Sequence, residues 1–172
     1  MPQRDDLLDL AALRLRPGEG RRIELDVTIE PLELGAERYP VVPRDVPVRV
    51  DIARMTSGGY SLRLRFTAEV HGTCMRCLGE ASPAFDVDAR EIDQADGGPE
   101  LDSPYVEADV LDLGAWSRDA LLLALPAQVL CTPDCAGLCP ECGERLADLP
   151  PDHAHERTVD PRWAKLGELR FD

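Results

Sequence analysis

The residues of this chain best suited to chemistry are its six cysteines, and all of them fall in two places. One is Cys74-Met-Arg-Cys77; the other is Cys131-Thr-Pro-Asp-Cys135-Ala-Gly-Leu-Cys139-Pro-Glu-Cys142-Gly143. Two thiolates at i and i+3 can grip one cation from a tight turn, and Gly143 lets the backbone fold in toward the sulfurs. Cys-Pro-Glu-Cys-Gly therefore reads as a zinc knuckle, and a second Cys-x-x-Cys elsewhere would complete a tetrahedral four-thiolate site. Joining the two knuckles gives Cys74, Cys77, Cys139 and Cys142 as the first expected ligand set. The local run Cys131, Cys135, Cys139 and Cys142 is the alternative. His153 and His155 are imidazole candidates for a mixed set, but they follow Pro150-Pro151-Asp152 and read as solvated. A four-thiolate site leaves no coordination position open to water, so Zn2+ held this way would contribute to folding rather than activate a nucleophile.

Other chemistry finds little support. His71 lies three positions before Cys74, yet a strand-end histidine beside a metal knuckle is more often a surface group than the partner of a nucleophile. The acidic residues form no paired-carboxylate pattern, and no glycine-rich phosphate loop appears, so no catalytic residue is assigned and the protein is read as non-enzymatic. A thiol redox protein is the remaining enzymatic reading. Redox pairs usually open a helix that lowers the attacking thiol's pKa; here one pair follows a strand and the other sits in a proline-containing turn. Arg63, Arg65 and Arg76, with Arg90 beside them, form a candidate RNA-binding patch, although arginines on a strand face are more often simply solvated.

The elements that must hold the cysteines are legible from periodicity. A segment over 1–20 has Leu7, Leu8, Leu10, Ala11 and Leu13 in a short helix or extended docking stretch, closed by Pro17-Gly18-Glu19-Gly20. Residues 21–93 carry strands. Ile23, Leu25, Val27 and Ile29 alternate, and Pro31 to Pro47 is broken by four prolines into loop or irregular edge structure. Val48, Val50 and Ile52 resume the pattern. Tyr60 to His71 is the clearest strand, with Leu62, Leu64, Phe66, Ala68 and Val70 on one face and Arg63, Arg65, Thr67 and Glu69 on the other. Phe85, Val87 and Ala89 alternate after Pro83, which puts Cys74 and Cys77 at the tip of a hairpin. An acidic loop over 94–104 precedes a short strand at Val106 to Leu111. Residues 105–145 then hold a helix, capped by Asp112 and stopped by Pro126, and the cysteine-rich knuckle. The tail, 146–172, ends in a helix started by Asp160-Pro161. The expected fold class is α+β: a β-rich antiparallel sheet or partly closed barrel with short helices and a zinc-knuckle C-terminal segment, in a single domain spanning 1–172.

Composition limits the partners. The chain has 172 residues, 33 of them acidic and 19 basic, for a formal net charge of −14. Such a chain is repelled by phosphate backbones and suits a basic protein partner. No signal peptide or membrane-length apolar run is visible, so the expected compartment is the cytoplasm, where clustered cysteines stay reduced and tend to hold metal.

Taken in order, a strand, Cys74-x-Arg76-Cys77-Leu78, an acidic loop, a leucine-rich helix ending in Leu125-Pro126, and Cys131-x-x-x-Cys135-x-Gly137-Leu138-Cys139-Pro140-x-Cys142-Gly143 resemble the bacterial and plastid YceD family, the large ribosomal RNA subunit accumulation proteins. Asp160-Pro161-Arg162-Trp163-Ala164 resembles a tail found in some members. The resemblance implies a role in accumulation of large-subunit ribosomal RNA, hence in ribosome assembly. The family's gene commonly neighbours that of a small basic ribosomal protein of the large subunit. The expected partners are thus a basic large-subunit ribosomal protein or a pre-ribosomal particle, with ribosomal RNA itself as the alternative and no membrane. Many members continue after Cys-Gly with Asn and further Cys; here Leu146-Ala147-Asp148 and the His153/His155 pair stand instead.

Overall fold

The structure is a computed structural model that describes residues 6–94 and 97–155. Backbone packing divides the chain into two compact units, one ending at Cys135 and one beginning at Ala136.

The first unit is built on antiparallel strands. In chain order these are β1 (Leu7–Asp9), β2 (Gly20–Thr28), β3 (Leu32–Leu34), β4 (Glu37–Tyr39), β5 (Val41–Val42), β6 (Asp45–Arg54), β7 (Tyr60–Val70), β8 (Gly72–Thr73), β9 (Glu80–Ala81), β10 (Ala84–Asp93), β11 (Val106–Glu107) and β12 (Val110–Asp112), followed by helix α1 (Leu113–Ala124). The main sheet runs β10-β7-β6-β2, with β5 pairing the far end of β7. It stays open rather than closing into a barrel, so among the described residues the fold is β-rich and antiparallel with one α-helix.

Period-two alternation sets the two faces of this sheet. Val46, Val48, Val50 and Ile52 of β6 and Leu62, Leu64, Phe66, Ala68 and Val70 of β7 are buried. Register brings them side by side, Val50 opposite Leu64 and Ile52 opposite Leu62. Helix α1 covers this face and buries Leu113, Trp116, Ser117, Ala120 and Leu121. Asp112 caps the helix as expected, its Oδ1 accepting the Ala115 N–H at 2.9 Å, and Pro126 follows the last turn. The opposite face carries charge. Arg22 Nε donates to Asp51 Oδ1 at 2.6 Å, Arg65 also donates to Asp51, Arg49 pairs with Glu24 at 2.9 Å, and Arg63 Nε donates to Asp88 Oδ1 at 2.7 Å. The Arg22 hydrogen bond first, and the Arg65 guanidinium with it, hold the Asp51 carboxyl below the usual carboxylate range.

The structure differs from the sequence reading in three places. Of the two expectations for Leu7 to Leu13, the short α-helix is absent and the extended one holds in part: Leu7–Asp9 pair as β1 with β12, Leu8 opposite Leu111, and only Ala11–Leu13 turn as 3-10 helix. The proline-broken stretch contains a small hairpin, β3 with β4, because its prolines lie outside the paired residues Leu32–Leu34 and Glu37–Tyr39. The single strand expected at Val106 to Leu111 is two, β11 and β12, joined by Ala108 and Asp109, both at positive φ. That is the tight-turn geometry matching strand twist. The expected terminal helix at Asp160 lies outside the described residues, as do Ala95 and Asp96 of the acidic loop.

Candidate metal centres

The first cluster stands where β7 hands over to the short hairpin β8–β9. Tyr39, 1% exposed, packs its ring against the Gly72 backbone, and its hydroxyl donates to the Thr73 carbonyl at 2.8 Å. A Cβ at residue 72 would come within 2.2 Å of that ring, so glycine is what lets the aromatic brace the base of the hairpin. The turn itself is closed by two backbone hydrogen bonds: Cys74 N–H to the Gly79 carbonyl at 2.7 Å and Leu78 N–H to the Cys74 carbonyl at 3.0 Å.

The chain beyond α1 returns alongside this turn. Met75 N–H donates to the Val129 carbonyl at 2.9 Å, and Val129 N–H points to Met75 Sδ at 3.4 Å. Arg76 Nη1 donates to the Cys135 carbonyl at 2.9 Å and its Nη2 to Gln128 Oε1 at 3.3 Å. These bonds lay residues 128–135 against the knuckle and bring Cys131 and Cys135 to Cys74 and Cys77. The four sulfurs lie within 4.8 Å of one another, with Cys74 to Cys135 at 3.8 Å and Cys77 to Cys131 at 3.7 Å. A tetrahedral cation with zinc–sulfur bonds of about 2.3 Å sets sulfur–sulfur edges near 3.8 Å, so the donor set fits a zinc-class ion. None of the six cysteines is in a disulfide. Burial pushes the Cys74 thiol up, but the amides of Cys77, Arg76 and Cys131 aim at its sulfur and bring it down to about 6, as a ligand thiolate requires.

The second cluster lies wholly in the second unit. Cys139 N–H donates to the Glu144 carbonyl at 2.7 Å and Gly143 N–H to the Cys139 carbonyl at 2.8 Å. Leu138 bridges Arg145 beneath the turn. Cys139, Cys142, His153 and His155 place their ligand atoms within 4.8 Å of one another, with Cys142 Sγ 3.7 Å from His153 Nε2. The amides of Cys142 and Glu141, then the His153 ring, lower the Cys139 thiol to about 6.

Each Cys-x-x-Cys therefore gathers partners other than the expected ones. Cys74 and Cys77 are grouped with Cys131 and Cys135, and Cys139 and Cys142 with His153 and His155. Spacing alone ranks equal gaps together. The hydrogen bonds from Met75 and Arg76 to residues 128–135 are what select the first group, and neither leaves a mark in a spacing pattern. Of the two histidines read as solvated, His155 is exposed and His153 half-buried, and both place a ring nitrogen within 4.8 Å of the two sulfurs. The signal that would have found them is their own i, i+2 spacing at the end of a short proline-stiffened return. Of the candidate RNA-binding arginines, Arg63 and Arg65 are engaged by Asp88 and Asp51, and Arg76 by the loop of the first cluster. His71 Nε2 lies 2.9 Å from Glu69 Oε2, an exposed pair on one strand end.

Among the described residues no helix is long and apolar enough to cross a membrane. The family model of the large ribosomal RNA subunit accumulation protein YceD matches residues 62–170, which takes in both clusters. An uncharacterized protein of Mycobacterium tuberculosis is 36% identical over 172 residues, covering 94% of this chain and 80% of its own length, and one of Mycobacterium bovis matches equally. An uncharacterized protein of Mycobacterium leprae is 29% identical over 170 residues, covering 95% of this chain and 76% of its own. No solved structure matches. With the strand, hairpin, helix and knuckle of residues 62–155 in the order the resemblance required, and the family model running across them, this chain belongs to the YceD family.

Proposed function

We propose that this protein is a non-enzymatic ribosome assembly factor that supports accumulation of large-subunit ribosomal RNA. It would act in the cytoplasm by binding a basic ribosomal protein of the large subunit, or a pre-ribosomal particle carrying one. The observation that carries this reading is the family match across residues 62–170, whose name ties it to that RNA. The net charge of −14 supports a basic partner. In the same reading Cys74, Cys77, Cys131 and Cys135 hold a structural Zn2+, which, with four thiolates around it, supplies folding energy rather than a reactive water. Direct ribosomal-RNA contact through Arg63, Arg65 and Arg76 has less support, because all three already have intramolecular partners.

The test is affinity capture with the full chain from lysate across a salt series. Large-subunit ribosomal proteins or precursor particles should be enriched at low salt and released as salt rises. Loss of the gene should lower the steady-state level of large-subunit ribosomal RNA relative to the small. Capture that recovers no large-subunit component at low salt, with RNA levels unchanged in the deletion, defeats the reading.

A further inference from the structure

We propose that Cys139, Cys142, His153 and His155 form a second metal centre, a two-thiolate, two-imidazole site for a zinc-class divalent cation, and that this ion orders the stretch from Ala136 to His155. Three observations carry it. The four ligand atoms, drawn from two stretches of chain, lie within 4.8 Å of one another.

The turn beneath them repeats the build of the first cluster. In both, the first cysteine's carbonyl accepts from the residue four on, Leu78 or Gly143, and its amide donates to the carbonyl five on, Gly79 or Glu144. The residue four on has positive φ in each case, 57° at Leu78 and 75° at Gly143. The same two hydrogen bonds and the same positive φ at two places, each time under a Cys-x-x-Cys pair, fit a common purpose.

The third observation concerns the described residues of the second unit. Among these, Ala136 to His155, Cys139 is the only hydrophobic side chain that is buried; Leu138, Leu146 and Leu149 are half-exposed. Within this stretch apolar burial offsets little of the entropy of ordering the backbone, and a bound metal is a device that can do so. The alternative is a plain hydrogen bond between the His153 and His155 rings, whose Nε2 atoms are 2.9 Å apart. It accounts for neither the Cys142 sulfur 3.7 Å from His153 nor the order of the knuckle.

The inference is independent of the ribosomal reading, since a metal count does not register partner capture. The experiment uses the full chain purified without chelator, with zinc counted per chain and cobalt(II) exchanged for zinc. Wild type should hold two ions. His153→Ala with His155→Ala should hold one, and its cobalt form should show stronger sulfur-to-metal charge transfer per ion than wild type, because only the four-thiolate site remains. In that variant, hydrogen exchange should quicken by about tenfold or more at the amides of residues 137–146 and stay unchanged in β6 and β7. Cys139→Ser should reproduce the loss of one ion. A histidine double variant that holds as many ions as wild type overturns the proposal, whatever the first cluster holds; because β6 and β7 serve as the internal reference for folding, that result cannot be blamed on a collapsed protein.

Discussion

Arg76 sits between the two cysteines of the first knuckle, yet its guanidinium reaches the Cys135 carbonyl and Gln128. In a sequence it is an arginine near other arginines; in the fold it is a strut for the loop that carries half of the candidate ligand set. The two roles predict different phenotypes. Arg76→Ala removes a hydrogen bond from a charged donor, about 1.5–3 kcal/mol, and should lower the urea midpoint and hasten zinc transfer to a competing chelator. Arg76→Lys keeps the charge but not the forked geometry and should recover only part of the loss. If Arg76→Ala leaves stability and zinc transfer untouched while weakening RNA retention, the strut is the wrong role and a nucleic-acid contact the right one.

At the scale of elements, α1 carries a defect that can be removed. Ser117 is fully buried against the sheet, and among the described residues its hydroxyl has no hydrogen-bond partner. An unsatisfied buried hydroxyl costs about 1–3 kcal/mol, and alanine is the better helix former. Ser117→Ala should therefore raise stability by about 1 kcal/mol, read as a higher urea midpoint at unchanged slope; a lower midpoint would mean the hydroxyl has a use. The elements themselves were legible wherever one periodicity ran long enough. β6, β7 and β10 followed from alternation, and α1 from its cap at Asp112 and stop at Pro126. What escaped was decided between elements. Residues 7–13 carry leucines compatible with helix, but Asp6 accepts the Leu113 N–H through its carbonyl at 2.8 Å and draws Leu7–Asp9 into pairing with β12. The same holds for the cysteines: residue type and the i, i+3 gap pointed to clusters able to hold a metal, whereas the grouping depended on which strand end and which return loop share a hydrogen bond.

At the scale of the whole molecule, two electrostatic effects oppose one another. The polar face of the main sheet is laced with ion pairs, Arg22 and Arg65 to Asp51, Arg63 to Asp88 and Arg49 to Glu24. Side chains in these pairs are between 30% and 65% exposed, so each is worth at most about 1 kcal/mol and is weakened by salt. Against them stands a net charge of −14 on 172 residues, whose self-repulsion disfavours the compact state and is also weakened by salt. The pairs are short-ranged and already neutralise one another, whereas the uncompensated carboxylates act over the full Debye length. Raising salt from about 0.01 M to about 1 M shortens that length from about 30 Å to about 3 Å. The repulsion should fade more than the attraction, and the Tm should rise with sodium chloride. Capture of a basic partner should fall over the same range, because there the excess charge is the attraction. A Tm that drops as salt is added would show the ion pairs outweighing the net field, and would remove the charge-based argument for a basic partner along with it.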